Sequence, residues 1–287
     1  MSMLEERYER GRAIKALMAG DNPNHFTLPG IDQLAPDLKR IIDEALFGSV
    51  WARPGLDIKY RCICSLSALM ALGYLSLLRR HIERALNVGL APAQIVEVFI
   101  QLTFYVGVPA VEAALRMAKE IFEERGIEFI PTQVYDTSKS VDELHEIGVR
   151  NHEEHIDDIT AYTTEDPDSQ EMQLERLINE YHWGAIYTRP HLDRKALAMC
   201  ALSSMTVLGH YDQQIRRRIE GALRIGMTLE EIMEVCIQLT LYGGYFNTRT
   251  AMRIARSVFT EQGVSEKEGR ETEDRDMPGE ASQRRID

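Results

Sequence analysis

Three side chains in the first half of the chain have the types needed for proton transfer and anion binding. His81 lies in the segment LLRRHIERAL, on the edge of an apolar stripe, and the ordinary pKa of histidine lies near neutral pH. Arg53 precedes proline in a turn, and Arg61 follows two turns later. A guanidinium can hold a carboxylate through two parallel hydrogen bonds. These residues predict a site that binds a small carboxylate, stabilises negative charge and delivers a proton.

Each of these residues also has a structural interpretation. His81 could be a hydrogen-bonded core residue, and Arg53 could cover a helix end. Comparison with the second half of the chain favours a chemical role for Arg61 and His81. The second half has Leu197 at the position of Arg61 and Arg217 or Arg218 at that of His81. Small residues share the helix face of Arg61 and are expected to leave space above it: Cys64, Ser65 and Ala68.

Glu97, Gln101 and Tyr105 are spaced four apart and form a polar ribbon on one helix. The second half keeps all three, as Glu234, Gln238 and Tyr242. Retention in both halves is compatible with structural hydrogen bonds and with catalysis. Gly107 and Pro109 then interrupt the helix, and we expect this break to point backbone N–H groups at a neighbouring pocket.

The chain contains a tandem duplication. IVEVFIQLTFYVGVPA (95–110) returns as IMEVCIQLTLYGGYFN (232–247), and GSVWARPGLD (48–57) returns as GAIYTRPHLD (184–193). The proline is lost in the second copy, which predicts a reshaped pocket there. We therefore predict an active first unit and a structural second unit. The predicted boundaries are 1–127 for the first unit, 128–140 for a linker, 141–264 for the second unit and 265–287 for a disordered acidic tail.

Each unit has the pattern of helices, and no alternating apolar run predicts a strand. Apolar residues recur at spacings of three and four residues, as in Leu75, Leu78 and Ile82. Thr228 and Glu231 form a predicted capping box, whereas the first unit has Pro92 at the corresponding helix start. Glycines are expected to end helices in the left-handed conformation: Gly73, Gly89, Gly126, Gly209, Gly226 and Gly263. The predicted fold class is all-α.

Composition excludes several classes of function. A net charge of −12 argues against a nucleic-acid partner, and charges interrupt every apolar run before it could span a membrane. Four cysteines without a disulfide spacing favour a reducing cytoplasm, and Cys62 and Cys64 lie on different helix faces, so they form no redox pair. His152 and His155 have the spacing of a metal pair, but we favour a solvated helix there and expect no metal or cofactor.

With these motifs in view, the chain resembles the carboxymuconolactone decarboxylase family. The resemblance lies in YERGRAI, GSVWARPGLD, HIERALNVGL and IVEV-IQLTFYVGVPA. It implies an all-helical unit that assembles in rings, and we expect a homotrimer of this chain with six units. The alkylhydroperoxidase-like branch would need cysteines at Tyr74 and Leu77, so the decarboxylase branch is favoured. Phe47 and Glu112 depart from the family pattern near the expected pocket.

The resemblance implies a cofactor-independent lyase acting on a small carboxylated lactone in aromatic-compound catabolism. We expect His81 and Arg61 to be catalytic, with Tyr105 or Glu97 assisting. The residues expected to contact substrate are Arg53, Trp51, Gln101, Gly107 and Pro109. Two alternatives remain: another enzyme on this scaffold (a lactone hydrolase, an isomerase or an alkylhydroperoxidase-like peroxidase), and a non-catalytic oligomeric binding or scaffold protein.

Overall fold

A computed structural model describes residues 2–22, 25–156, 164 and 166–264. Helices account for the first unit: α1 (Met3–Ala19), α2 (Pro29–Leu34), α3 (Pro36–Ile42), a π-helical segment π1 (Asp43–Trp51), α4 (Ile58–Ala71), α5 (Leu75–Asn87), α6 (Pro92–Gln101), α7 (Thr103–Val106) and α8 (Val108–Glu124). After Gly126, residues 127–140 contain no helix.

The second unit follows a similar order with seven described elements. Its helices are α9 (Val141–Ile156), α10 (Gln170–Leu177), a second π-helical segment π2 (Ile178–Ile186), α11 (Arg194–Leu208), α12 (Asp212–Arg224), α13 (Leu229–Gly243) and α14 (Tyr245–Glu261). The number is smaller than in the first unit because α13 spans the positions of α6 and α7 and α2 has no described counterpart. No strand occurs within the described ranges, so the chain is all-α with two tandem helical units, as predicted. The predicted disordered tail, 265–287, lies outside the described residues.

The helix ends follow the local signals in the sequence. All six predicted glycine stops have positive φ, between 65° at Gly126 and 90° at Gly226. The capping box at the start of α13 is present, with the Thr228 hydroxyl accepting from the Glu231 N–H and the Glu231 carboxylate accepting from the Thr228 N–H. In the first unit only half of this arrangement exists, because Gln94 accepts from the Ala91 N–H but alanine has no side-chain oxygen to return the bond.

Each unit contains a very close helix contact at a glycine. A Cβ atom on Gly11 of α1 would lie 2.4 Å from the carbonyl oxygen of Asp43, and one on Gly148 of α9 would lie 1.8 Å from that of Asn179. Only glycine allows α1 to pack on π1, and α9 on π2, at this distance. Gly11 and Gly148 therefore make the same kind of packing contact in the two units.

The two units share one core, built where α4 crosses α11. Small side chains meet there, with Ser203 near Cys64 and Ser67 near Cys200. The space expected above Arg61 is therefore filled by the other unit rather than by a pocket, because small residues on α4 and α11 let the helices approach closely. This corrects the prediction that Cys64, Ser65 and Ala68 border a cavity.

The polar ribbon of each unit packs across the boundary between the units. Helix α13 contacts α4 and π1 of the first unit, while α6 and α7 contact α11 and π2 of the second. Within the described part of the chain, no helix has both the length and the apolar character that a membrane span requires.

Candidate active site

The exchange of ribbons produces two clusters of buried polar residues, each formed by both units. The cluster that we call the His81 site contains Trp51, Arg53, Arg61, His81 and Arg84 from the first unit and Glu234, Gln238 and Tyr242 from the second. The cluster that we call the Trp183 site contains His182, Trp183, Tyr187, Arg189 and Arg218 from the second unit and Glu97, Gln101 and Tyr105 from the first.

One carboxylate holds two arginines at the base of the His81 site. Glu234 accepts from Arg53 Nε and from Arg61 Nη2, each at 2.6 Å. Arg61 is fully buried, and its other contacts are Gln238 Oε1 at 3.2 Å and the carbonyl of Arg53 at 2.9 Å. Burial alone would raise the pKa of Glu234, but the hydrogen bonds from the two arginines outweigh it and lower the pKa, so Glu234 is ionised.

The corresponding position in the Trp183 site holds one arginine. Arg189 Nε lies 2.9 and 3.0 Å from the two carboxylate oxygens of Glu97. Gln101 donates to Glu97 at 3.1 Å and to the carbonyl of Ile186 at 2.9 Å. Leu197 stands at the position of the second arginine, so the charges of Arg189 and Glu97 balance. In the His81 site, two arginines face one carboxylate, which leaves one excess positive charge.

His81 is held in one tautomer by its contacts. Its Nδ1 lies 2.9 Å from the carbonyl oxygen of Leu77, which can only accept, so Nδ1 carries the hydrogen. Nε2 then accepts from the Tyr242 hydroxyl at 3.0 Å, and Trp51 Nε1 donates to the same hydroxyl at 3.1 Å. Burial, with the charge of Arg84 added, holds the pKa of His81 well below its ordinary value, and burial raises the pKa of Tyr242 to about 12.

Arg84, one turn beyond His81, is a buried cation that sequence reasoning missed. It is 5% exposed and donates to His81 Nε2 and to His25 Nε2, both at 3.1 Å. The ring of Phe26 lies 4.3 Å from its guanidinium carbon, and that of Phe47 lies 5.8 Å away. Across the described residues it forms no ion pair with a carboxylate, and burial lowers its pKa to about 10.

Such an arrangement favours an anionic ligand. A buried charge without a direct counter-ion costs several kcal/mol, and a bound anion offsets part of that cost. Two signals in the sequence could have indicated Arg84: it lies three residues from His81, on the same helix face, and its counterpart in the second unit is Gly221.

In the Trp183 site, Arg218 takes the place that His81 has in the first cluster. Its Nη2 lies 2.5 Å from the hydroxyl of Tyr105, its Nη1 lies 2.9 Å from that of Tyr187, and its guanidinium carbon lies 4.6 Å from the centre of the Trp183 ring. Since Tyr105 and Tyr242 are equivalent, the counterpart of His81 is Arg218 rather than Arg217. Burial holds the pKa of Tyr105 well above its ordinary value.

A group of histidines surrounds Trp183. His152 stacks on its ring at a centroid distance of 4.5 Å and contacts Asn179 Oδ1 at 2.9 Å, while His155 contacts the carbonyl of Asn151 at 2.8 Å. Burial lowers the pKa of His152 to about 4 and holds that of His182 well below its ordinary value. Both histidines are buried, so the expectation of a solvated helix face is wrong here, and their rings pack around Trp183.

The structure divides the predicted site residues between the two clusters. His81, Arg61, Arg53 and Trp51 lie in the His81 site. Glu97, Gln101 and Tyr105 lie in the Trp183 site, so the expectation that Tyr105 or Glu97 assists His81 is wrong in its geometry. The physical reason is that the Glu–Gln–Tyr ribbon of each unit packs against the other unit. Tyr242 therefore contacts His81, and Glu234 contacts Arg53 and Arg61.

The helix break after Tyr105 also differs from its prediction. Gly107 has φ 83° and ends α7, but its N–H donates to the carbonyl of Thr103 at 3.0 Å, so it is not directed at a pocket. Within the described residues, the hydrogen bonds of Gly107 run to its own helix ends at Thr103 and Val111, and Gly244 keeps the same φ of 83° although the second unit has lost the proline. The break therefore shapes the backbone in both units.

Of the two departures from the family pattern, only one lies at a site. Phe47 is buried against Arg84, whereas Glu112 is exposed and pairs with Arg116 on the surface of α8. All four cysteines are buried and outside disulfides, and Cys62 lies near Arg84 and Tyr242. Burial raises the pKa of Cys62 to about 12 and that of Cys64 to about 11, so both are neutral thiols near pH 7.

Known proteins resemble parts of this chain in sequence. The chain is 31% identical to a 4-carboxymuconolactone decarboxylase of Acinetobacter baylyi over 123 residues, which cover 43% of this chain and 92% of that protein. It is 29% identical to an uncharacterized 15.0 kDa protein of Paracoccus denitrificans over 42% of this chain and 89% of the relative. It is 32% identical to a nitrosuccinic acid decarboxylase of Metarhizium robertsii over 35% of this chain and 65% of the relative.

The family model of these decarboxylases matches the chain twice, at residues 36–120 and 173–257. The two matches fall on equivalent helices of the two units and together cover more than half of the chain. The chain therefore belongs to the carboxymuconolactone decarboxylase family and carries one copy of the family domain in each unit.

Proposed function

We propose that the chain is a cofactor-independent decarboxylase and that the His81 site performs the reaction. The substrate class is a small acid whose departing carboxylate is bonded to a carbon that can pass its electron pair to an electron-accepting group, such as a carboxylated lactone in aromatic-compound catabolism. The relatives named for carboxymuconolactone and for nitrosuccinic acid both fit this description. The single observation that carries the proposal is Arg84, a buried cation beside His81 whose described contacts include no carboxylate.

Arg84 supplies the electrostatic part of the mechanism. When the carboxylate leaves as CO₂, the electron pair of the broken C–C bond moves to the acceptor oxygen, so negative charge leaves one end of the substrate and develops at the other. A cation at the acceptor end stabilises the transition state more than the ground state. We therefore place the acceptor oxygen at Arg84, which lies in a water-poor setting between Phe26 and His81.

His81 and Tyr242 supply the proton. The net reaction converts R–CO₂⁻ and H⁺ to R–H and CO₂, so one proton must reach carbon. The resting imidazole is neutral because of burial and the charge of Arg84. An anion bound to Arg84 cancels part of that effect and raises the pKa of His81, so substrate binding itself favours the protonated acid. Tyr242 bonds Nε2 and fixes the direction of transfer.

Arg61 and Arg53 have supporting roles in this proposal. Arg61 is fully buried on Glu234 and Gln238, so it positions α13 and Tyr242 rather than contacting substrate. The side chain of Arg53 is 43% exposed, which leaves room for a second partner beside Glu234. We place a retained substrate carboxylate at Arg53, with Trp51 as an adjoining wall.

We also propose that the chain assembles as a homotrimer. Large apolar side chains are exposed at the start of α14 and near the start of α8, including Phe246 and Val108. Burial of such side chains stabilises association. Light scattering of the purified chain should give three times the chain mass of 32.8 kDa, and the mass of a monomer would contradict this part.

The test of the function is CO₂ release from 4-carboxymuconolactone and from nitrosuccinate by purified protein. Arg84→Met, which keeps the side-chain length and removes the charge, should lower kcat/KM by about 10²-fold or more. Arg79→Met is the matched control, because Arg79 lies on the same helix but pairs with Glu120 and Glu124 on the surface.

Three results would overturn the proposal. The first is the absence of CO₂ release from both acids, and the second is an equal effect of the Arg79 and Arg84 substitutions. The third is wild-type turnover in Arg84→Met protein, since the reaction would then not use the buried cation.

A further inference from the structure

The Trp183 site borders a cavity of about 300 Å³. Aromatic side chains form much of its wall: Phe104, Tyr105, Trp183 and Tyr211. Arg217 and Arg218 line it on the side of α12, and apolar residues of α9, π2 and α11 contribute further surface. The remaining polar lining residues are His152, Glu175, His182 and Gln214. The cavity therefore combines a large apolar surface with positive charge on one side.

The size of this cavity matches a small ring compound. An apolar protein cavity of about 150 Å³ holds benzene, and ligand pockets begin near 300 Å³. The wall would contact a planar ring through the faces and edges of aromatic side chains, which favour offset or edge-on stacking. A single-ring molecule with one short substituent fits the volume.

The polar side of the cavity favours an anionic substituent. The described charged residues in the lining are Arg217, Arg218 and Glu175, and burial raises the pKa of Glu175. The two guanidinium groups lie next to each other in sequence on α12, and guanidinium groups bind carboxylates through paired hydrogen bonds. The net charge of these three side chains is positive.

The same site lacks the acid–base pair of the His81 site. Arg218 contacts the hydroxyl of Tyr105 where His81 contacts that of Tyr242, and an arginine does not release its proton near neutral pH. His182 lines the cavity but is neutral and buried against Tyr105 and Trp183. Binding, rather than proton transfer to carbon, is what this arrangement supports.

We propose that the cavity at Trp183 is a second, non-catalytic binding site for a small aromatic carboxylate. The ring packs among Trp183, Tyr105 and Phe104, and the carboxylate pairs with Arg218. Since the residues of this site differ from those of the His81 site, the proposal stands or falls independently of the decarboxylation.

The two tryptophans of the chain allow a direct test, because Trp51 lies in one site and Trp183 in the other. In the variant Trp51→Phe, all tryptophan fluorescence comes from Trp183. Titration with benzoate should change this fluorescence saturably, with one molecule bound per chain and a Kd of about 1 mM or tighter. No saturable change, with no heat of binding by calorimetry, would overturn the proposal.

A charge-specific control distinguishes the proposed contact from loose apolar binding. Arg218→Gln should weaken benzoate binding by about tenfold or more, while binding of the uncharged benzyl alcohol should change by less than about twofold. Arg216→Gln is the matched control, because Arg216 lies on the same helix and pairs with Glu220 and Glu261 outside the cavity. Equal losses in the two variants, or equal losses for the two probes, would contradict the carboxylate contact.

Discussion

The His81 site and the Trp183 site are built from the same parts and have different chemical capacities. In both, a Glu–Gln–Tyr ribbon of one unit faces an arginine turn of the other, through Arg53 with Glu234 and through Arg189 with Glu97. The difference lies in what reaches the tyrosine hydroxyl: a titratable histidine at Tyr242 and an arginine at Tyr105. A shared scaffold thus fixes where a site lies, while one or two side chains decide what it can do.

The exchange of Arg84 for Gly221 explains much of this difference. A Cβ atom on Gly221 would lie 1.6 Å from the carbonyl oxygen of His155, so α9 packs directly on α12 in the second unit. In the first unit the side chain of Arg84 extends between Phe26 and His81 instead. The same helix position therefore provides a backbone contact in one unit and a buried cation in the other.

The comparison is tested most strongly by removing the histidine. His81→Gln keeps a polar side chain but cannot transfer a proton, so kcat/KM for CO₂ release should fall by about 10²–10⁴-fold. Benzoate binding at Trp183, measured by calorimetry, should not change by more than about twofold, since the sites share no residue. Loss of both functions together would show that the two clusters do not act independently.

The two carboxylates that hold the arginines should differ in their contribution to stability. Glu234→Gln leaves Arg61 buried without its counter-ion and should lower the free energy of unfolding by about 3–5 kcal/mol. Glu97→Gln affects one arginine whose side chain is 15% exposed and can be hydrated, so about 1.5–3 kcal/mol is expected. Urea denaturation of both variants measures the difference, and a larger loss for Glu97→Gln would contradict the charge assignment.

Acid should destabilise the protein through histidines of both sites. Burial lowers the pKa of His25 and of His152 from 6.5 to about 4, and it lowers those of His81, His155 and His182 as well. Between pH 6.5 and about 4 the unfolded chain therefore binds more protons than the folded chain, so stability falls as the pH falls through this window. Each such proton contributes about 1.4 kcal/mol per pH unit.

Urea denaturation at several pH values between 7 and 4 measures this slope. His182→Gln should reduce the slope by about one proton, because glutamine does not titrate. His191→Gln is a suitable control, since His191 contacts the hydroxyl of Thr132 near the connector and belongs to neither cluster. A slope unchanged by His182→Gln, or one of opposite sign, would contradict a neutral histidine at that position.

The smallest expected difference between the units lies at a helix start. Thr228→Ala removes the cap of α13 and should lower the free energy of unfolding by about 1 kcal/mol. Ala91→Ser completes the corresponding half-formed box at α6 and should raise it by about 0.5–1 kcal/mol. Thermal and urea unfolding of the two variants measure the signs of these changes in free energy. A loss of stability in Ala91→Ser would contradict the equivalence of the two helix starts.

The sequence alone determined the helical class, the duplication and the helix ends, because these depend on local patterns. Apolar spacing, the glycine stops with positive φ and the box at Thr228 each involve residues within a few positions of one another. The types of the candidate residues His81 and Arg61 were also visible, since the asymmetry between the copies could be read directly.

Only the tertiary structure decided which residues act together. Tyr105 and Tyr242 lie in similar helical segments, and the sequence of these segments does not indicate which unit each tyrosine faces. That choice depends on the crossing of α4 with α11, which packs side chains more than a hundred positions apart. Arg84 is the clearest case. A charged residue in a basic helix is expected at the surface, and packing against Phe26 and His25 makes it a buried cation.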